Sequence, residues 1–133
     1  MDKVRKLIKE TLNEFISRKE LGDVETYADN LFSDVGIDVE FTKHFLDRVN
    51  DPRNGAEITP EELTSLYRKA HDKYGNNLSH LKTGSERVVN DVQTDINVPV
   101  VLNKRGKEAE MVNMTVMRKK NFLTAPNSPK LKV

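Results

Sequence analysis

The spacing of apolar residues changes near Glu86 from the period of a helix to the period of a strand, and this change constrains the fold most. Before it, apolar side chains recur every three or four positions. After it, three segments alternate like strands, over residues 87–93, 96–103 and 109–120. Helices followed by an antiparallel meander are typical of an α+β domain. We therefore predict N-terminal helices packed on a small antiparallel β-sheet of three to four strands.

The clearest start signal for a helix lies at Thr59. This residue is a suitable N-cap, Pro60 fits the first helical position, and Glu62 completes a capping box. Gly75 would end the helix. The buried stripe of this helix would contain Leu63, Leu66, Tyr67 and Ala70.

The first twenty residues show an amphipathic pattern, which predicts a helix over residues 2–20 that stops near Gly22. This helix either packs on the domain or serves as a docking arm for a partner protein. Asp23 would cap a second helix over about 24–34. The predicted domain organisation is an N-terminal helix (1–22), a single α+β domain (23–120) and an extended or disordered C-terminal tail (121–133).

The strand region carries two further signals. Lys104–Lys107 contains a glycine between charged residues and predicts a hairpin turn. Pro99 lacks a backbone N–H, so its strand should lie at a sheet edge or contain a bulge. In the last strand, alternation puts Val112, Met114 and Val116 on the core face. The opposite face, with Met111, Asn113, Thr115 and Lys119, would be solvent surface or the floor of a polar cleft.

Composition excludes several classes of function. The 133 residues include no cysteine, which excludes disulfides, thiolate zinc sites and thiol catalysis. No apolar run is long enough for a membrane span, and we expect no secretion signal and no membrane partner. The net charge is only +1, but from Lys104 onward eight cations stand against two acids. A basic C-terminal segment therefore accompanies an acidic N-terminal part.

The least ordinary helix is predicted from Phe41 to about Asn50. Phe41, Phe45 and Val49 form its apolar stripe, and His44 and Arg48 lie four residues apart along one edge. A buried guanidinium without a partner is very costly, so an arginine beside an inward-facing stripe needs an ion-pair partner or a cleft. We therefore expect His44 and Arg48 to border a cleft.

Such a cleft suits RNA cleavage without a metal ion. Histidine is the natural general acid or base near neutral pH. Arginine binds phosphate oxygens through a bidentate fork, and fixed positive charge stabilises the transition state. Hydroxyl and amide groups such as those of Thr115 and Asn113 can orient a phosphate. Dependence on the 2′-hydroxyl would confine the reaction to RNA.

Three features together resemble a known group of proteins: the pattern His44-x-x-x-Arg48, the capped segment Ile-Thr-Pro-Glu-Glu-Leu, and the late strand Val-Asn-Met-Thr-Val-Met-Arg that ends at Arg118. Over about residues 40–120 the chain is similar to small tailed-phage proteins of the barnase, EndoU, colicin and RelE-like (BECR-type) nuclease group. The resemblance implies an antiparallel sheet with N-terminal helices and a metal-independent ribonuclease site. It also implies a location in the cytoplasm of the infected bacterial host, or in the virion.

The resemblance assigns catalytic roles to four residues and leaves their geometry open. Strict alternation would place Thr115 and Arg118 on opposite faces, so both can serve one site only if the strand bulges or ends by Met117. Otherwise Lys119 would supply the cation. The assigned catalytic residues are His44, Arg48, Thr115 and Arg118, and the predicted substrate-binding residues are Arg53, Asn113, Lys119 and Lys120.

The expected partner of an active enzyme is RNA, and we expect no metal ion and no other cofactor, since the three histidines lack carboxylates at ligand spacing. The alternative function is that of a non-enzymatic phage structural or host-interaction protein. Its protein partner would bind residues 2–20.

Overall fold

The computed structural model describes residues 16–133 and shows an α+β fold in which helices pack on one face of a mixed sheet. The predicted helix over residues 2–20 lies largely outside the described residues. Short 3-10 turns cover Ser33–Val35 and Pro52–Asn54. The helices are α1 (Arg18–Phe32), α2 (Lys43–Arg48) and α3 (Pro60–Ser79). The strands are β1 (Ile37–Phe41), β2 (Ser85–Asn90), β3 (Ile96–Arg105), β4 (Glu108–Asn113), β5 (Met117–Arg118) and β6 (Lys130–Lys132).

Helix α1 is a single helix that passes through Gly22, so the predicted break there and the predicted cap at Asp23 are wrong. Ser17 is the N-cap and forms a capping box with Glu20. A glycine inside a helix costs roughly 1 kcal/mol relative to alanine. The buried side chains of Leu21, Val24 and Ala28 compensate for it by packing against α3 and the sheet.

Helix α3 begins as predicted, with Thr59 as N-cap and a capping box closed by Glu62. It continues past Gly75 to Ser79, so the predicted end is wrong. Gly75 is buried, and a Cβ atom built on it would lie 3.2 Å from the ring of His71. This glycine therefore makes room for a neighbouring side chain instead of ending the helix. The predicted buried stripe is confirmed at Leu63, Leu66, Tyr67 and Ala70.

The sheet of the described residues contains six strands, in the order β1-β4-β3-β2-β6, with β5 paired to β3 beyond the end of β4. Both edge strands are parallel to their neighbours. The prediction of three to four antiparallel strands therefore missed two edge strands. Strand β1 occupies the segment before the helix predicted from Phe41 and includes Phe41 itself, and β6 lies in the segment predicted as an extended or disordered tail.

Alternation along β3 and β4 decides which face is buried. Val98, Val100 and Leu102 of β3 pack into the core, as do Met111 and Asn113 of β4. Both of the latter are fully buried, so the predicted assignment of Met111 and Asn113 to the outer face is wrong. Val112 lies on the outer face and is half-buried.

Pro99 lies within a central strand, paired to β2 on one side. On the other side its carbonyl oxygen accepts the N–H of Met114 at 2.9 Å, and regular pairing with β4 stops there. The nitrogen of a strand residue points to the same side as its carbonyl, so the missing N–H of Pro99 faces this interruption. The irregularity therefore lies in the neighbouring strand, between Asn113 and Met117.

Strand β1 forms one edge of the sheet, and helix α1 covers part of that edge. The N–H of Val39 donates to Asp29 Oδ1 at 2.9 Å, and the N–H of Phe41 donates to Glu25 Oε2 at 2.7 Å. Two carboxylates of α1 thus take the hydrogen bonds that a further strand would accept. No helix of residues 16–133 is long and apolar enough to cross a membrane.

Candidate functional site

A cavity of about 540 Å³ opens where β1 and β4 end together. It carries four cationic side chains and one carboxylate, so its charge favours an anionic ligand. The lining residues are His44, Arg48, Asp51, Arg53, Asn54, Thr115, Val116, Met117, Arg118 and Lys119. Six of the eight residues assigned to a site from the sequence therefore border this cavity.

The ends of β1 and β4 are tied together by Thr42. Its N–H donates to the carbonyl of Asn113 at 3.2 Å, and its hydroxyl donates to the carbonyl of Met114 at 2.9 Å. The same hydroxyl accepts the N–H of Phe45 at 3.0 Å and so caps α2. Helix α2 consequently starts beside Thr115, which brings one wall of the cavity against the other.

Asn54 joins the other end of α2 to β5. Its Nδ2 donates to the carbonyls of Arg48 and Val49, at 3.1 and 3.2 Å, and its Oδ1 accepts the N–H of Arg118 at 3.1 Å. The side chain is 7% exposed, so all three bonds lie in a low-dielectric environment, where they are strong. Asn54 therefore fixes the distance between α2 and the segment that carries Thr115.

His44 and Arg48 contact each other as their spacing predicts. Arg48 Nε donates to His44 Nε2 at 3.2 Å. In this arrangement Nε2 is an acceptor, so the neutral imidazole carries its proton on Nδ1. The imidazole is exposed and the guanidinium is half-exposed, so both are accessible to a ligand.

Asp51 lies between two guanidinium groups. Its Oδ2 accepts from Arg48 Nη1 at 2.9 Å and from Arg53 Nη2 at 2.8 Å. Its Oδ1 accepts from Arg53 Nε at 3.1 Å and from the N–H of Arg53 at 2.8 Å. The carboxylate also caps the 3-10 turn at Pro52. The partly buried carboxylate of Asp51 thus holds two arginines that line the cavity.

Arg118 borders the cavity, but its guanidinium is occupied by structural partners. Nη1 donates to Glu62 Oε2 and the carbonyl of Thr94, and Nη2 donates to Glu62 Oε1 and the carbonyl of Glu57. Burial raises the pKa of Glu62, but hydrogen bonds from Arg118 and Thr59 outweigh it and lower this pKa below its ordinary value. Only the buried Nε lacks a hydrogen-bond partner, so the guanidinium of Arg118 serves structural contacts here, and a catalytic role for it stays a prediction.

Thr115 and Lys119 both border the cavity, and neither side chain makes a hydrogen bond or ion pair within residues 16–133. The strand break resolves the predicted conflict of faces. Because β4 ends at Asn113 and β5 starts at Met117, alternation does not continue between them, and Thr115 and Arg118 both border the cavity.

Two residues predicted to bind substrate lie away from the cavity. Asn113 is fully buried, where its Oδ1 accepts the hydroxyl of Tyr67 at 2.8 Å and its Nδ2 donates to the carbonyls of Glu40 and Met111. In this structure its amide serves the core, and a substrate-binding role for it stays a prediction. Lys120 is exposed and does not line the cavity.

Sequence reasoning missed Asp51 and Asn54. The available signal was the Asn-Asp-Pro segment, which indicates an aspartate cap before a proline. That signal marks the end of α2 and a turn. It does not reveal that the carboxylate also binds two arginines.

Neither a protein-family model, nor a curated protein, nor a solved structure matches this chain significantly. Within residues 16–133 no cluster of three or more histidine, aspartate or glutamate side chains is arranged to hold a metal ion. The case for a function therefore depends on the cavity and its chemistry.

Proposed function

We propose that this chain is a metal-independent endoribonuclease or toxin-like domain that cleaves RNA by attack of the 2′-hydroxyl. The observation that carries the proposal is the meeting of His44, Arg48 and Thr115 in one cavity, with Arg53 and Lys119 beside them. These residues come from two separate parts of the chain, residues 44–53 and residues 115–119. The same residue types are the ones that the resemblance to phage nucleases of the BECR type implies.

His44 supplies the base in this mechanism. The 2′-hydroxyl replaces the Arg48 N–H at Nε2 and transfers its proton to that nitrogen as the 2′-oxygen attacks phosphorus. The bond to the 5′-oxygen breaks, and this oxygen takes a proton from water. The products are a 2′,3′-cyclic phosphate and a 5′-hydroxyl, and the imidazolium later returns its proton to solvent.

Arg48, Arg53 and Lys119 supply positive charge where the phosphate gains negative charge. A guanidinium binds two phosphate oxygens at once, whereas the ammonium of Lys119 acts as a mobile point charge. The hydroxyl of Thr115 has no partner within the described residues and can donate to a non-bridging oxygen. Preorganised donors of this kind commonly provide the largest part of catalysis.

The test is cleavage of single-stranded and structured RNA by the full-length protein in EDTA, with analysis of the new ends. His44→Ala should reduce the rate by about 10²- to 10⁴-fold, the usual contribution of a general base. Arg48→Ala should reduce it by a similar factor. His80→Ala is the matched control, because this exposed histidine at the end of α3 does not line the cavity.

Two results would count against the proposal. Equal cleavage by wild type and His44→Ala would show that the activity does not reside in this cavity. Absence of cleavage by folded wild type across varied RNAs would instead favour the alternative, a non-enzymatic interaction protein.

A further inference from the structure

We propose that Asp51 is a positioning residue that holds Arg48 and Arg53 as a clamp for one backbone phosphate, and that its charge weakens the overall affinity for a polyanion. The proposal rests on the proposed function, because it assigns the phosphate to a nucleic acid. Asp51 does not touch the reacting atoms. It acts through the two arginines.

The first argument is convergence. Arg48 Nη1 and Arg53 Nη2 both lie within 2.9 Å of the same oxygen, Asp51 Oδ2. Two guanidinium groups this close repel each other unless an anion lies between them. Arg53 is 75% exposed, and its bonds to Asp51 offset the side-chain entropy that it loses by remaining in one place. The carboxylate is 18% exposed and is fixed by the backbone N–H of Arg53.

The second argument concerns the donors that remain. Arg48 uses Nε for His44 and Nη1 for Asp51, and Arg53 uses Nε and Nη2 for Asp51. Arg48 Nη2 and Arg53 Nη1 have no partner within residues 16–133, and both arginines line the cavity. A phosphate that approaches from the cavity meets two prepositioned donor groups, and Lys119 lies nearby.

The third argument concerns the sign of the charge effect. Asp51 places a negative charge in a cavity that is to receive a polyanion, so it opposes binding at long range. It also fixes the arginines relative to His44 through Arg48, which favours the transition state. Affinity and turnover should therefore respond in opposite directions when the charge is removed.

A purely structural role predicts something different. Asp51 also caps the Pro52–Asn54 turn, and asparagine caps about as well as aspartate. Asp51→Asn therefore keeps the cap and removes the charge. If capping were the sole role of Asp51, this variant would behave like wild type in binding and in cleavage.

The experiment uses full-length protein with two oligonucleotides of one sequence. A 2′-deoxy oligonucleotide, which the proposed chemistry cannot cleave, reports affinity by fluorescence anisotropy. The RNA version reports the single-turnover rate at saturation. Asp47→Asn is the control, because Asp47 is an exposed α2 aspartate, paired at 3.9 Å with Arg18, that does not line the cavity.

We expect Asp51→Asn to bind the deoxyoligonucleotide about three- to tenfold more tightly and to cleave RNA at least tenfold more slowly. Asp47→Asn should change each quantity by less than twofold. Arg53→Gln should weaken binding about three- to tenfold, since it removes one side of the clamp.

The outcomes separate the two proposals. If wild type cleaves RNA and Asp51→Asn matches Asp47→Asn in both assays, the clamp is overturned and the ribonuclease proposal survives. If no variant cleaves but the affinities change as expected, the clamp stands and the ribonuclease proposal fails. If wild type neither binds nor cleaves, both are overturned.

Discussion

The buried hydrogen bond between Tyr67 and Asn113 joins α3 to the sheet, and its contribution to the free energy of unfolding can be measured directly. Both residues are fully buried, and the tyrosine hydroxyl donates to Asn113 Oδ1 at 2.8 Å. Tyr67→Phe keeps the ring, including its stacking on Phe41 at a centroid distance of 5.7 Å. It removes one oxygen and leaves the amide oxygen of Asn113 without a donor.

The expected loss follows from that orphaned acceptor. An unsatisfied buried polar group costs about 1–3 kcal/mol in free energy of unfolding. For a domain of this size each 1 kcal/mol lowers Tm by roughly 4 °C, so Tyr67→Phe should melt about 4–12 °C below wild type. Tyr74→Phe is the control, because this half-buried tyrosine of α3 makes no hydrogen bond through its hydroxyl within residues 16–133. It should change stability by less than about 0.5 kcal/mol.

The same variant has a signature at high pH. Burial raises the pKa of Tyr67 well above 10.0, with a smaller contribution from the charge of Glu25. The folded state therefore disfavours the tyrosinate, and the stability that this group contributes is complete below pH 10.0 and falls as the pH rises above it. Urea unfolding of wild type between pH 9 and about 11 should show this loss, and Tyr67→Phe should show less of it.

The reasoning fails if Tyr67→Phe is as stable as wild type. That result would mean that the amide of Asn113 finds another donor, and the burial argument for its structural role would lose its force. Asn113 would then return as a candidate for substrate binding, as the sequence alone suggested.

Three further predictions concern ion pairs and caps. Burial raises the pKa of Glu62, but hydrogen bonds from Arg118 and Thr59 lower it below its ordinary value of 4.5. The stability that the Glu62 carboxylate contributes is therefore complete above pH 4.5 and is lost as the pH falls through the lower folded-state pKa. Acid titration followed by circular dichroism should show a smaller loss of stability in Glu62→Gln than in wild type. Thr42→Val removes the cap of α2 and should lower the free energy of unfolding, measured in urea, by about 1 kcal/mol. An unchanged free energy of unfolding would contradict this role of Thr42. Lys69 bonds the buried carboxylate of Asp91 at 2.9 Å, so Lys69→Met should cost about 3 kcal/mol, and the double variant with Asp91→Asn should recover part of that loss.

Local signals predicted part of this fold well. The capping box at Thr59 acts within four residues, so it could be read directly, and the start of α3 was predicted correctly. The break predicted at Gly22 was wrong because tertiary burial of Leu21 and Val24 outweighs a weak glycine preference. Strand β1 was missed because its five residues precede a helix and pair with a strand about 70 positions later.

The candidate site shows the same division between local and long-range information. The four-residue spacing of His44 and Arg48 predicted that they are neighbours on one helix edge, and the structure shows them in contact. Alternation holds up to Asn113, although the wrong face was assigned to the core. It stops after Asn113 because Thr42 and Pro99, both far away in sequence, bond this segment and end the regular strand. Asp51 was missed because its second arginine partner, Arg53, reaches it only through the turn that follows the helix.

The carboxylates that α1 directs at β1 have a consequence for the behaviour of this protein in concentrated solution. An open sheet edge is a template on which a second chain can add a strand, and this is a common start of aggregation. Glu25 and Asp29 occupy the outward N–H groups of Phe41 and Val39, and the extra negative charge repels an approaching backbone carbonyl. Helix α1 thus protects the sheet from oligomerisation through β1, in addition to supplying four buried side chains to the core.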